Sequence, residues 1–341
     1  MWSANHVDSP IRHRLRWTVG GFGALVVVVC GLAPLVGSTS VSLTRAFDTT
    51  MPWSENVDAQ IFFIARLPRV LAAALVGSAL AMAGVVFQAL LRNPLASPDT
   101  LGVSAGASLG AMTAITLNAA FSVAGIPALP LASFVGALGA FGVVALLSLV
   151  RQRGATSLVL LLGGVTVTAL LSAVIGMVQY VADATQTFRT ARWLLGSLDV
   201  ASYAPIGGAL LPLALACAGF MRLPRRLDLF SLGADAAATR GVDVRTTERL
   251  ALASASLATG AAVSLGGPVG FVGIIVPHLV RLVVGADHRL VLPASALLGA
   301  AFLVLCDLVA RTALAPMEVP VGIVTALLGG PVFLWLLLRQ A

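Results

Sequence analysis

Residues 70–91 read VLAAALVGSALAMAGVVFQALL, a stretch without a single charged side chain. An α-helix rises 1.5 Å per residue, so about 20 apolar residues cross the roughly 30 Å hydrocarbon core of a bilayer. Arg69 precedes the stretch and Arg92 follows it, and charged residues are typical of the positions where a helix leaves the bilayer. The stretch therefore predicts a transmembrane helix.

Similar apolar runs recur along the whole 341-residue chain. Of its residues 58% are hydrophobic and 10% are charged, whereas about a quarter of the residues in a soluble domain are charged. We expect an all-α polytopic membrane protein in which residues 1–341 form a single transmembrane domain with ten helices. The predicted spans are 18–36, 70–91, 101–118, 131–150, 157–180, 204–221, 250–265, 269–285, 291–309 and 321–338.

The boundary between the seventh and eighth spans has two interpretations. Gly266, Gly267 and Pro268 interrupt one long apolar run, and they indicate either a kink within a helix or a turn between two helices. If these residues form a turn, the number of spans is even. The first span follows several arginines, but its apolar core is too long for a cleaved signal peptide, so we interpret it as a signal anchor.

The distribution of arginine predicts the orientation of the chain. With a cytoplasmic N terminus and alternating spans, about 15 arginines lie inside, in agreement with the positive-inside rule. The outside receives Arg45, Arg66, Arg69, Arg189, Arg192 and Arg311. We expect both termini in the cytoplasm, residues 1–17 as a cytoplasmic tail, residues 222–249 as a long cytoplasmic loop, and a short surface helix outside at 187–198.

Several polar or small residues within the spans predict helix packing. Gly102, Gly106 and Gly110 recur every four residues, which places them on one helix face that another backbone approaches closely. Asp307 and Arg311 are four residues apart and predict an ion pair on one helix. For His278 and Arg281 we favour a structural role.

Three classes of function are not indicated by the sequence. The chain contains no lysine, so it has no G-x-x-x-x-G-K-S/T phosphate loop and no ATPase site of that kind. Its four histidines and three cysteines show no catalytic or metal-ligating spacing, so we expect no cofactor or metal on this chain. The net charge of +7 comes from scattered arginines and does not indicate nucleic-acid binding. We therefore expect a transport subunit and not an enzyme.

The driving force of such a subunit remains open at this point. An ion-coupled carrier usually holds its driving ion on intramembrane carboxylates, and Asp307 is the main candidate here. An ATP-driven importer instead needs a docking surface for a motor inside and one for a delivery protein outside. The 222–249 loop and the outer arginines fit those two requirements.

Eight short motifs, read in order, resemble the FecCD family of ABC importer permeases. They are RLPR (66–69), NPLA (93–96), LGV (101–103), GSL (196–198), GPVGFVG (267–273) with Pro277-His278, ADHR (286–289), EVPVG (318–322) and LGGP (328–331). The resemblance covers residues 60–338, and the ordered combination is far more specific than any single motif.

The resemblance implies a dimeric type II ABC importer permease fold with ten helices per subunit in the bacterial inner membrane. It implies a second permease copy, two ATPase subunits that bind ATP and Mg, and a periplasmic or lipoprotein substrate-binding protein. Arg66, Arg69 and Arg311 would dock that protein. Asp228, Leu232, Gly233, Ala234, Arg240 and Gly241 would couple to the ATPases, Asn93 and Leu95 would form a cytoplasmic gate, and Thr168, Ser172, Met177 and Gln179 are candidates for the translocation path.

The cargo expected from the resemblance is an iron chelate, either haem or a ferric siderophore, with cobalamin as the alternative. An ion-coupled secondary carrier or channel is the alternative from another class, and it would transport without partner subunits.

Overall fold

The computed structural model of the chain describes residues 8–37, 39–150, 157–200 and 202–340, and these residues are almost entirely helical. The helices are α1 (Asp8–Leu32), α2 (Leu43–Ala46), α3 (Val57–Gln60), α4 (Leu67–Leu91), α5 (Val103–Thr116), α6 (Ala128–Val150), α7 (Ser157–Val181), α8 (Ala184–Leu194), α9 (Ala204–Phe220), α10 (Pro224–Phe230), α11 (Ala234–Ala238), α12 (Val244–Gly266), α13 (Val272–Val284), α14 (His288–Thr312) and α15 (Val321–Gln340).

Shorter elements connect these helices. A 3-10 turn at Ala33–Leu35 continues α1, a π-helical turn at Ile61–Arg66 joins α3 to α4, and a 3-10 turn at Pro98–Leu101 precedes α5. The strands β1 (Ser122–Val123) and β2 (Ile126–Pro127) form an antiparallel hairpin between α5 and α6, with Val123 opposite Ile126.

Ten of the helices coincide with the ten predicted spans. In the described part of the chain, six stretches are individually long and apolar enough to cross a membrane: those containing α1, α4, α6, α7, α12 and α14. Helices α9 and α10 form a bent pair with an angle of 57°, and α5, α13 and α15 are shorter apolar helices. The all-α polytopic fold is therefore confirmed.

Helix α4 lies at the centre of the bundle, where α12, α13 and α14 surround it. A methyl group at Gly77 would lie 2.1 Å from the carbonyl oxygen of Gly299, and one at Gly84 would lie 2.0 Å from that of Gly273. Because lipid tails are as apolar as leucine, close backbone packing at small residues holds membrane helices together. The glycines of α4 thus fix its contacts with α14 and α13.

The predicted glycine face of α5 is confirmed for two of its three residues. A methyl group at Gly106 would lie 2.4 Å from the carbonyl oxygen of Gly136, and one at Gly110 would lie 2.0 Å from that of Ala132, so both glycines pack against α6. Gly102 instead precedes the helix with a φ of +77° and lies beside Val167 of α7. Its assignment to the same helix face was wrong, because Gly102 has a left-handed backbone and lies before the first residue of α5.

The interruption at 266–268 is a turn. Helix α12 ends at Gly266, Gly267 has a φ of +66°, and α13 begins at Val272. A methyl group at Gly267 would lie 2.7 Å from the carbonyl oxygen of Trp193, and one at Gly322 would lie 2.2 Å from that of Leu195. The end of α8 is therefore fixed against the end of α12 and the start of α15.

Two predicted boundaries differ from the structure. Helix α1 begins at Asp8, so residues 8–17 of the predicted tail are helical, while residues 1–7 lie outside the described residues. The outer helix occupies Ala184–Leu194 instead of 187–198, because Asp183 and Gln186 form a capping box at its start.

Candidate functional site

Five charged residues meet at the end of the bundle where α4 begins and α14 ends, and we call them the arginine cluster: Arg66, Arg69, Asp307, Arg311 and Glu318. Arg69 donates from Nε to Asp307 Oδ1 at 2.8 Å and from Nη1 to Glu318 Oε2 at 2.8 Å. Asp307 is only 1% exposed, whereas the Glu318 side chain is 46% exposed. Arg69 thus binds one buried carboxylate, that of Asp307, and one accessible carboxylate, that of Glu318.

The predicted ion pair between Asp307 and Arg311 is present, with 3.7 Å between Asp307 Oδ2 and Arg311 Nε. The contacts of Arg69 were not predicted, since Asp307 is 238 residues away along the chain and no local spacing connects the two. Because Asp307 is buried and the two arginines that contact it are largely buried, this charge network is sensitive to the loss of Asp307.

Arg66 and Arg311 hold the end of α1. Arg66 donates to the carbonyl oxygens of Pro34 (2.9 Å), Leu35 (3.1 Å) and Thr39, and Arg311 donates to that of Ala33. The last carbonyls of a helix have no partner within it, and cations are favourable there. Both arginines are consequently buried, at 6% and 7% exposure, which the sequence alone did not predict.

A cavity of about 270 Å³ opens beside the arginine cluster. Its lining includes Gly37, Thr39 and Glu318 together with the three arginines. Tyr203 donates to the carbonyl oxygen of Phe63 at 2.6 Å, which places the loop after α8 at the same end of the bundle.

The opposite end of the bundle carries the segment formed by α10, α11 and their turns, residues 224–241, which we call the coupling segment. Its apolar residues Leu227, Phe230 and Ala237 are buried, and α10 packs against α4 and α14. Gly233 and Gly241 have φ values of +112° and +81°, which allow the sharp turns on either side of α11. The segment is thus a compact unit that is fixed to the bundle.

Asp228 attaches the coupling segment to the first turn of α14. Its Oδ1 accepts from the backbone N–H of His288 at 3.0 Å and lies 2.6 Å from His288 Nδ1. Asp287 caps the same helix by accepting from the backbone N–H of Arg289 at 2.9 Å. Two carboxylates therefore meet the free N–H groups and the positive dipole end of α14.

The carboxylate of Asp287 is stabilised in its charged form at this first turn. Partial burial acts to raise the pKa of Asp287, but hydrogen bonds from the Arg289 side chain and backbone prevail and hold it below its ordinary value. Asp287 is accordingly ionised near neutral pH, as a cap at a helix N terminus requires.

The coupling segment also presents an outer surface. Leu232 is 59% exposed, Arg240 and Gly241 are exposed, and Ala234 is half-buried. A methyl group at Gly233 would lie 3.7 Å from Arg92 Nη1, so the end of α4 adjoins this surface.

The predicted gate residues follow directly on α4 at the same end. Arg92 ends the helix with a φ of +48°, and the side chain of Asn93 accepts from the backbone N–H of Leu95 at 2.9 Å. Leu95 is exposed and Asn93 is half-buried. The turn directs Leu95 away from the packed bundle.

The four path candidates are distributed along α7 and are not gathered at one point. Thr168 is half-buried beside Gly102 and donates to the carbonyl oxygen of Gly164 at 2.9 Å. Ser172 and Met177 are exposed, and Gln179 is half-buried. Much of α7 is thus uncovered within one copy of the chain.

Among the described residues, no group of three or more His, Cys, Asp or Glu side chains is arranged to hold a metal ion. Cys30, Cys217 and Cys306 are free and lie on three different helices.

Comparison with known proteins assigns this arrangement to a family. The model of the FecCD transport family matches residues 25–339. The chain is 38% identical to the hemin transport system permease protein HmuU of Yersinia pestis over 94% of its own length and 95% of that protein. It is 43% identical to the cobalamin import system permease protein BtuC of Halobacterium salinarum, over 92% and 84% of the two chains.

A third relative and a solved structure support the same assignment. The chain is 39% identical to the Fe(3+) dicitrate transport system permease protein FecD of Escherichia coli, over 81% of its length and 84% of that protein. A solved inward-facing conformation of a metal-chelate type ABC transporter superposes with a TM-score of 0.82 at 32% identity. It covers 94% of this chain and 98% of the other.

Proposed function

This chain belongs to the FecCD transport family, and from that premise we propose that two copies of it form the membrane pathway of an ATP-driven importer for an iron chelate. In this proposal two separate ATPase subunits, which bind and hydrolyse ATP, dock on the coupling segment, and a substrate-binding protein delivers the cargo at the arginine cluster. The chain then spans the bacterial inner membrane, with the coupling segment and both termini on the cytoplasmic side.

One observation carries the proposal: a single helix connects the two ends of the bundle. Helix α14 begins at His288, which contacts Asp228 of the coupling segment, and it holds Asp307 and Arg311 near its end. At 1.5 Å per residue the 25-residue helix is about 37 Å long. Movement of the coupling segment by an ATPase would thus be passed to the outer end through one rigid element.

The arginine cluster supports delivery-protein docking in a specific way. Arg66 and Arg311 donate to carbonyl oxygens of the chain after α1, so they stabilise the surface on which the delivery protein would dock. Arg69 binds the accessible carboxylate of Glu318. We infer that an acidic side chain of the delivery protein replaces Glu318 on Arg69, because a charge-assisted bond to Arg would then be exchanged for an equivalent one.

The same proposal assigns roles to the predicted gate residues and to the predicted path residues. Asn93 and Leu95 lie beside the coupling segment, where movement of that segment would open or close a cytoplasmic constriction. The exposed side of α7, with Ser172 and Met177, is available to face a second copy across the pathway. Thr168 and Gln179 are half-buried and would contribute less to the wall.

The relatives support a chelate as cargo without selecting one. They include permeases named for hemin, cobalamin and Fe(3+) dicitrate. We propose haem or a ferric siderophore first, and cobalamin as the second candidate because that relative shows 43% identity.

The decisive experiment changes Asp228 in the complete transporter with its ATPase subunits. Asp228→Ala removes both contacts with His288, so stimulation of ATP hydrolysis by the loaded delivery protein should fall at least several-fold. Asp235→Ala is the matched control, because Asp235 is an exposed carboxylate on α11 of the same segment. Equal stimulation in both variants and in the unchanged transporter would refute the coupling role.

A further inference from the structure

A groove of about 540 Å³ opens between residues 13–25 of α1 and the end of α13, apart from the sites described above. Its mouth is lined by His13, Arg14 and Trp17, and its walls include Phe22 and Leu25. The groove is therefore basic at one end and apolar along its length.

The mouth retains hydrogen-bonding capacity for an anion. Arg14 donates one Nη2–H to the carbonyl oxygen of Val284 at 2.9 Å, which closes the C-terminal end of α13. A guanidinium carries five N–H donors, so this contact uses only part of it. Trp17 Nε1 donates to His13 Nε2 at 3.0 Å and orders the rim.

The length of the groove fits one leaflet of a bilayer. Arg14, Thr18, Gly21 and Leu25 recur at helical spacing and thus share one face of α1. From Arg14 to Leu25 the helix rises about 16 Å, close to half of the roughly 30 Å hydrocarbon core. Trp17 is 72% exposed at the basic end, and tryptophan is typical of the interface between headgroups and acyl chains.

We propose that this groove binds an anionic phospholipid, with its phosphate at Arg14 and one acyl chain along Gly21 and Leu25. Basic pockets between membrane helices bind anionic headgroups, and an apolar channel one leaflet long beneath the basic mouth selects a lipid over a small anion. The site does not depend on the proposed transport function, since it involves neither the arginine cluster nor the coupling segment.

The test uses the fluorescence of Trp17, because brominated acyl chains quench a neighbouring indole. The full chain is reconstituted into phosphatidylcholine vesicles that contain increasing fractions of either dibromo-phosphatidylglycerol or dibromo-phosphatidylcholine. The Trp17 signal is the difference from a Trp17→Phe chain. We expect half-quenching by the anionic lipid at a fraction about fivefold lower, since one arginine near the surface favours anionic lipid by about that factor.

Two pairs of variants separate the headgroup site from the acyl-chain site. Replacing Arg14 by Gln should remove the preference for the anionic lipid, whereas Arg249→Gln, at an exposed arginine of α12 outside the groove, should keep it. Gly21→Leu fills the groove without changing charge, so it should also remove the preference. Gly20→Leu is its control, because neither glycine has an atom within 4 Å of an added methyl group and only Gly21 lines the groove.

Three results would overturn the proposal. They are equal quenching of Trp17 by the two lipids in the unchanged chain, an undiminished preference in Gly21→Leu, and loss of the preference when millimolar inorganic phosphate is added. The last result would identify a site for free phosphate instead of a lipid. Because the Gly21 pair leaves the Arg14 contact with Val284 intact, the test remains valid if the arginine variants fold poorly.

Discussion

Asp307 supplies the buried negative charge of the arginine cluster, and its replacement is the most severe single change that we predict. Asp307→Asn leaves Arg69 and Arg311 without their shared carboxylate in a site that is almost closed to solvent. Removing one partner of a buried pair costs about 3 to 5 kcal/mol. The expected loss is measured as the free energy of unfolding of the purified chain in detergent.

Glu318→Gln is the comparison for that prediction. Glu318 binds the same Arg69 but is about half exposed, and exposed ion pairs contribute only about 0 to 1 kcal/mol. If both variants lost the same stability, burial would not be what gives Asp307 its importance.

Asp243 gives a pH-dependent prediction at the first residue before α12. The side-chain hydroxyl and the backbone N–H of Thr246 donate to this carboxylate and hold the pKa of Asp243 below its ordinary value of 3.8. A lowered pKa stabilises the folded state above the ordinary value, and that contribution is lost as the pH falls through the lower one. We expect amide-exchange protection in the first turn of α12 to decrease over that range.

The corresponding control is Asp243→Asn. Asparagine also caps helices but does not ionise, so the first turn should show little change in protection over the same pH range. A decrease of equal size in this variant would assign the pH effect to another group.

At the scale of single residues, local spacing predicted the pair Asp307–Arg311 but not the partners of Arg66 and Arg69. An i, i+4 relation can be read along a helix, whereas Arg66 contacts carbonyl oxygens near residue 35 and Arg69 contacts residues of α14 and of the loop after it. Backbone acceptors carry no residue-type signal. The buried state of Arg66 could therefore not be anticipated from the sequence.

At the scale of helices, the close backbone contact between α5 and α6 gives the most specific prediction. A methyl group at Gly110 would lie 2.0 Å from the carbonyl oxygen of Ala132, so Gly110→Ala forces the two helices apart. Overpacking of this kind costs about 1 to 3 kcal/mol. Thermal unfolding in detergent should show the loss.

Gly139→Ala on α6 provides the matched control. An added methyl group there has no atom within 4 Å, so its stability should remain close to that of the unchanged chain. Equal destabilisation by the two substitutions would contradict the packing explanation, because alanine is the better helix former and its propensity alone cannot lower the stability.

Among the elements, the long apolar runs were predicted well and the interruptions were not. Periodic or continuous apolarity locates a span such as α4, but Gly266-Gly267-Pro268 is compatible with both a kink and a turn, and only the contact of Gly267 with Trp193 shows why the chain turns. The start of α1 at Asp8 was missed, because the polar residues before the apolar core carry no signal for the end of a helix that extends beyond the bilayer.

At the scale of the whole molecule, we predict that the chain alone does not transport. It has no lysine and hence no phosphate loop, and in the described spans Asp307 is already engaged by two arginines and is not free to carry a driving ion. Reconstituted vesicles should show no uptake of chelate with a proton or sodium gradient. Uptake should require the ATPase subunits, the delivery protein and ATP.

Gradient-driven uptake by the chain alone would instead identify an ion-coupled carrier.

The family and the ten-helix fold could be predicted from ordered motifs and apolar runs, because both are properties of continuous sequence. The identity of the cargo could not, since in the proposed dimer a second copy would complete the wall of the pathway, and the shape of that wall is not encoded in any single motif.

The contact between α1 and α14 also has a consequence for biosynthesis. The carbonyl oxygen of Ala33 is satisfied by Arg311, which lies 278 residues later in the chain. At about 5 to 20 residues per second, the ribosome needs roughly 15 to 55 s to reach that arginine after the first helix has been made. The end of α1 must therefore wait in the membrane, hydrated or held by the insertion machinery, until the ninth span arrives.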